Sequence, residues 1–213
     1  MSKYGYVGKE SDIPQQAFKA NAGVLSVNDH LALSQENKLT QYGQLELLST
    51  QTFTGVQEVD FTNIDTSYNV HFVTWTDQRI EDTTNTRQFQ LQLFESGVLE
   101  TASVYQQAIQ TGLSSGTFSE VRSGAINALQ IGGQTNNTAT DNSNGYFYMY
   151  NAGDSTKYTF ITAHSTRQRD SNFVMTFGSG ILPQTSVVDG FRFEQPQSNT
   201  IQGQISLYGI RYS

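Results

Sequence analysis

The chain of 213 residues contains no cysteine, three prolines and a single tryptophan, and only 15% of its residues are charged. Without cysteine there is no disulfide, no thiolate nucleophile and no cysteine-based zinc site. The charged fraction lies well under the usual quarter or so. Long hydrophobic runs are missing too. No apolar stretch approaches the roughly 18 residues that a membrane-spanning helix needs, and the opening MSKYGYVGKESDIP lacks the apolar core of a secretory signal. A protein made in the cytoplasm, without membrane insertion, is the expectation. Basic clusters are absent as well: Lys and Arg number 12 against 19 Asp and Glu, giving a net charge of −7. The densest basic stretch, Arg167 to Arg169, holds two arginines and runs into Asp170. Neutralising nucleic-acid phosphates takes a basic patch, so nucleic acid is not an expected partner.

Gln, Asn, Ser, Thr and 18 glycines stand in place of charge, with aromatics at 12%. This mixture suits many short strands joined by polar turns, with aromatic side chains filling the core. The chain divides near Gln44. Before it, Gly5, Gly8, Pro14 and Gly23 interrupt a segment with scattered Tyr4, Tyr6, Phe18 and Leu25. Asn28 or Asp29 is placed to cap a short helix over the NDHLALSQENKL stretch. Residues 1–44 therefore read as an N-terminal arm, the recurring hydrophobic residues favouring one that docks on a partner. Residues 45–213 read as strand after strand. LELLSTQTF and VQEVDF flank Thr54-Gly55, an expected hairpin turn. Tyr68, Val70, Phe72 and Thr74 share one face of a strand, and His71, Val73 and Trp75 the other. Phe89, Leu91 and Leu93 alternate with Gln88, Gln90 and Gln92. The stretch 132–145 reads as a polar loop. GYFYMYN and KYTFITAH then pair across a turn at Ala152 to Ser155. The last strand is apolar on both faces, with Ile201, Ile205 and Leu207 on one and Tyr208 and Ile210 on the other. Such a strand is central or is covered by another subunit. About ten strands with little helix predict an all-β fold, an antiparallel β-sandwich or jelly roll with an extended N-terminal arm.

Chemistry is sparse. His30, His71 and His164 have no metal-ligand spacing, and no metal or cofactor is expected. Asp141, Ser143 and Gly145 lack the repeated carboxylates of a calcium loop and read as an ordinary turn. No GxSxG elbow exposes a nucleophile, and Gly178-Ser179-Gly180 lacks the rest of a phosphate loop. Glu58, Asp60, Glu81, Asp82, Asp170, Asp189 and Glu194 are candidate carboxylates with no distinguishing context. The expectation is that the chain is not an enzyme. Trp75, Tyr146, Tyr148 and Tyr150 are the aromatics best suited to stack on sugar rings, and they are the candidate glycan-contacting residues. Against that stands the ordinary role of strand tyrosines, inter-sheet packing with the hydroxyl at the edge.

Two regions resemble virion surface proteins of marine, cyanophage-like tailed bacteriophages: tail fibres, head fibres and capsid decorations. One is the opening from YGYVGKESDIP through GVLSVNDHLALSQENKL to QLELLSTQTFTG. The other is the β-domain, with VDFTNIDTSYNVHFVTW near its start and GFRFEQPQSNTIQGQISLYGI at its end. In the second, Phe191, Arg192 and Phe193 precede a polar stretch and then Ile205, Leu207, Tyr208, Gly209 and Ile210. The resemblance implies a non-enzymatic structural protein of the virion. Its N-terminal arm would bind other capsid or tail proteins, and its β-sandwich would be displayed outward, as a homotrimer. The alternative class is a lectin-like receptor-binding module recognising host surface glycan through its loops.

Overall fold

Period-two alternation of apolar and polar residues decides the architecture, because each strand so written must bury one side against a second layer. The computed structural model describes residues 45–80, 89–132, 140–169, 172–195 and 200–210, together with Val27 and Leu31. Val27 and Leu31 are helical and exposed; the rest of the expected arm and its short helix lies outside the described residues.

Thirteen strands occur among the described residues: β1 (Leu45–Val56), β2 (Glu58–Thr62), β3 (Val70–Ile80), β4 (Gln90–Glu95), β5 (Val98–Leu99), β6 (Tyr105–Leu113), β7 (Phe118–Ile126), β8 (Leu129–Gln130), β9 (Ser143–Tyr150), β10 (Thr159–Arg169), β11 (Asn172–Leu182), β12 (Val188–Glu194) and β13 (Ile201–Ile210). They form an eight-stranded sheet in the order β1-β13-β3-β9-β10-β11-β6-β7 and a smaller one in the order β2-β12-β4-β5, with β8 also on β4. All pairings are antiparallel. The molecule is an all-β, antiparallel β-sandwich. Leu45–Ile210 makes one compact unit.

Between the sheets lies one core. From the large sheet come Val73, Trp75, Phe147, Met149, Ile161, Ile205 and Leu207; from the small sheet come Leu91, Leu93, Phe191 and Phe193, all with 2% exposure or less. The Trp75 ring meets Phe193 at 5.7 Å and Phe147 meets Phe191 edge-on at 5.5 Å, so aromatic pairs tie the layers together.

Three local expectations need correcting. The Thr54-Gly55 stretch does not close a hairpin: β1 pairs with β13, while β2 pairs with β12 in the other sheet. The ladder slips between Phe53 and Val56, and Gly55 takes φ +70°, which steers the chain across the sandwich instead of back along β1. Nor does the polar loop extend to residue 145, for Ser143–Gly145 open β9. The indole of Trp75 is the reason. Its N–H donates to Ser143 Oγ at 3.3 Å, and a Cβ on Gly145 would collide with its ring. Residues 133–139 of that loop lie outside the described residues. Finally Gln92, expected outward, is buried and donates to the Asn127 carbonyl at 3.0 Å, because the segment before β8 crosses over it.

Candidate outward face of the large sheet

Side chains that point away from the core on the large sheet line up in cross-strand rows. One row runs Leu47, Tyr208, Phe72, Tyr148, Thr162, Ser179. The next along the strands runs Ser206, Thr74, Tyr146, His164, Phe177. On the other side the row is Leu45, Ile210, Val70, Tyr150, Phe160, Ile181. From β1 to β11 no residue in these three rows is Asp, Glu, Lys or Arg; carried on through β6 to the edge strand β7, two of them reach Glu120 and Arg122. The strand period and the register thus concentrate uncharged, largely aromatic side chains on one face of a protein whose net charge is −7.

At its centre the face is tiled with rings. Phe72 lies 4.8 Å from Tyr148, 5.7 Å from Tyr146 and 6.0 Å from Tyr208. Tyr146 meets Tyr148 edge-on at 5.9 Å and His164 edge-on at 5.7 Å. Tyr148 and Tyr150 lie nearly parallel, 24° apart at 6.1 Å. Toward β11 the rings stand open: Phe160, Phe173 and Phe177 are between 40% and 48% exposed. Leu45 and Leu47 at the β1 edge are exposed by half or more.

Of the four aromatics singled out in the sequence, this face unites three. Tyr146, Tyr148 and Tyr150 occupy alternate positions of β9 and point outward together. Trp75 does not join them; it is fully buried between the sheets and presents no surface to a sugar. The Phe and Leu members of the face were not picked out by sequence reasoning. Their alternation marked strands, and only the register of β10 and β11 against β9 shows which side they take.

The candidate carboxylates separate. Glu58 and Asp60 lie on the outer side of the small sheet and clasp Arg192, whose guanidinium donates to both Asp60 oxygens at 2.8 Å and to Glu58 at 2.7 Å. The Asp60 hydrogen bonds raise the already high pKa of Arg192. Beside them Glu194 is pushed up, first by burial. Asp189 accepts the Gly97 N–H at 2.9 Å, a turn contact. Glu81, Asp82 and Asp170 lie outside the described residues.

A carboxyl pair that the sequence did not flag sits across the β4–β5 turn. Glu95 accepts from Ser186 Oγ and is raised by burial, while Glu100, taking the Ala102 N–H at 2.7 Å, is lowered by it. Tyr105 binds the same corner. Its hydroxyl accepts the Leu93 N–H at 2.9 Å and donates to the Glu100 carbonyl at 3.1 Å, and burial raises its pKa strongly. These bonds fasten the β4–β5 turn to β6.

Of the histidines, His164 belongs to the ring-tiled face. His71 is buried, donates from Nε2 to the Asp65 carbonyl at 2.9 Å, and is held below its usual pKa by desolvation. His30 lies outside the described residues. Among the described residues no three His, Asp or Glu side chains gather as a metal site, and no helix is long and apolar enough to cross a membrane. The class that fold and face define is an antiparallel β-sandwich with one large uncharged aromatic face. Neither a protein-family model, nor a curated protein, nor a solved structure matches this chain.

Proposed function

We propose that the chain is a non-enzymatic structural protein of a virion surface, a capsid decoration, head fibre or compact tail fibre. In this reading residues 1–44 anchor it to other capsid or tail proteins and the β-sandwich is displayed outward. The observation that carries a structural role is the uncharged, ring-tiled outer face of the large sheet. Interface centres are depleted of charge and enriched in Tyr, Phe and Met, and a contiguous apolar face of this kind marks a surface that protein covers. A neighbouring copy of the chain is the occupant that charge favours. Copies carrying −7 each repel through most of their surface, and they approach most easily where neither presents charge. With strands spaced about 4.8 Å apart and outward residues about 6.8 Å apart along each strand, the six strands and three rows span about 600 Å², the low end of what each partner contributes to a standard interface. The homotrimer implied by the resemblance would be built through it.

The test is a Tyr148→Glu, Phe177→Glu double variant of the full chain, with circular dichroism to verify the fold. It should be monomeric and missing from particles that carry the wild-type protein. Normal particle occupancy by a monomeric, folded variant would leave the face without an assembly role. Deleting residues 1–40 tests the anchor in the same assay.

A second reading is favoured by one observation, the file of Tyr146, Tyr148 and Tyr150 on β9. Rings in such a file suit stacking on the apolar faces of a host glycan. A glycan array with the wild type and with Tyr146→Ala, Tyr150→Ala decides it; binding that the variant retains removes these tyrosines from the reading.

A further inference from the structure

The eight-stranded sheet ends in a strand that is open on three sides. Among the described residues β7 pairs only with β6, and from Phe118 to Arg122 and at Gly124 and Ala125 its residues are exposed, with Phe118 at 67%. The ladder register fixes which backbone groups are free. Leu113 N–H donates to the Thr117 carbonyl at 2.8 Å, and Thr111 pairs with Ser119 and Ile109 with Val121. Alternate residues of an antiparallel strand direct N–H and C=O to opposite edges. From Thr117 to Ser123 the odd-numbered residues therefore bond to β6, and Phe118, Glu120 and Arg122 direct theirs outward; beyond Ser123 the ladder shifts before Ile126 meets Tyr105.

We infer that this edge pairs with the same edge of a second copy, antiparallel about a two-fold axis at Val121. The sequence FSEVRSG is complementary to itself in that register. Glu120 meets Arg122 of the other copy, Arg122 meets its Glu120, Ser119 meets Ser123, and Phe118 meets Gly124. Parity agrees at the centre, since Glu120 and Arg122 both bond outward and their two pairs form narrow hydrogen-bonded rungs on either side of the axis. Charge agrees as well. Edges that resist pairing carry like charges, often lysine; this one carries opposite charges two residues apart, already 3.5 Å from each other within the strand. Across the two-fold axis both become cross-strand ion pairs. Shape agrees at the ends. The Phe118 ring lies over Gly112 of β6, where an added Cβ would meet it at 2.8 Å, and a Cβ at Gly124 would meet nothing within 4 Å. An aromatic side chain thus has a glycine neighbour on each side. The contact is isologous, the same patch on both partners, and joins two large sheets into one continuous sheet. It goes beyond the reading of the ring-tiled face and does not rest on it.

The full chain is tested by sedimentation across a micromolar-to-millimolar series. Glu120→Arg and Arg122→Glu, each alone, set like charges against one another at both crossings and should each lose the edge-paired species. Mixed in equal amounts the two variants are complementary and should pair with each other, which can be scored by labelling one of them. Arg122→Pro removes an outward N–H while leaving the β6 ladder intact, and should also abolish pairing. Hydrogen exchange adds a signature that an unrelated contact would not move: protection of the Phe118, Glu120 and Arg122 amides rising with concentration. A wild type without self-association through β7 over the whole series overturns the inference. So does association that the single reversals leave unchanged, or a mixture that fails to restore it.

Discussion

The two sheets turn unlike faces to the outside. On the small sheet, Arg192 is clasped by Asp60 and Glu58, lies 6.0 Å over the Phe94 ring, and has Glu194 beside it. The Arg192 charge there is paired within the subunit. On the large sheet, Phe72, Tyr146, Tyr148, Tyr150, Phe160 and Phe177 leave ring surface partly open, with no charge in their rows from β1 to β11. A face of the first kind is complete in the monomer. A face of the second kind gains from being covered, since apolar area removed from water stabilises by about 25 cal/mol per Å². The same contrast appears across β9, where Phe147 and Met149 on one side and Tyr146, Tyr148 and Tyr150 on the other differ chiefly in whether a second layer covers them.

Breaking the covered side should have the largest effect. Trp75 has no exposed surface, touches Phe147 and Phe193, and donates to Ser143. Trp75→Ala should cost about 3–5 kcal/mol through lost burial and the cavity left behind, read as a lower urea midpoint in chemical unfolding. A loss below about 1 kcal/mol would mean that the two sheets do not share this core.

On the small sheet, removing Arg192 leaves Asp60, Glu58 and Glu194 close together without their cation. Arg192→Met should cost about 1–2 kcal/mol, a modest figure because the cluster is partly solvated. The loss should shrink in high salt. It should also shrink at acidic pH as Glu194, whose pKa burial has raised, takes up a proton. A salt-independent loss would assign the effect to packing on Phe94 instead.

How much of this was legible in the sequence follows from the range of the forces involved. Alternation such as Phe89, Leu91 and Leu93 is local, so strand positions and the two-layer class could be read directly. Trp75 illustrates the limit. Its alternation with Val73 correctly put the two on one side, but nothing local says which side is covered, because β12 supplies Phe193 from more than a hundred positions away. The outward face was legible only in part for the same reason. Tyr146, Tyr148 and Tyr150 form a visible file, whereas Phe160 and Phe177 join it through registers that hydrogen bonding between distant strands sets. Gly55 misled because a Thr-Gly step between apolar runs serves a hairpin and a crossing between sheets equally well.

Titration offers a smaller perturbation of the covered side. His71 is buried, with Nδ1 unpartnered, and desolvation holds its pKa below the usual 6.5. The folded state therefore binds the proton less readily than the unfolded chain. Its contribution is fully present above about pH 6.5, declines as pH falls from there, and levels off once pH is below the lowered pKa of the folded state. The slope cannot exceed about 1.4 kcal/mol per pH unit for one group. His71→Gln should flatten this part of the stability curve relative to wild type in denaturant titrations between about pH 7 and 5. An unchanged slope would assign it to other groups.

The smallest effect on the monomer should come from the open face, and that smallness sharpens the comparison. Tyr148 packs on Phe72 and lies between Tyr146 and Tyr150, and it stays partly exposed. Tyr148→Thr keeps a β-favouring residue and should change monomer stability by no more than about 0.5–1 kcal/mol, a cross-strand pair's worth. If the face is buried between subunits, the same substitution acts far more strongly on association, because a truncated ring near the centre of an interface removes contact and leaves poorly filled space. Unfolding of dilute monomer and sedimentation at high concentration separate the two quantities. A large loss in the monomer with none in association would make the ring tiling part of the subunit's own stability, and the two outer faces would then differ in chemistry but not in role.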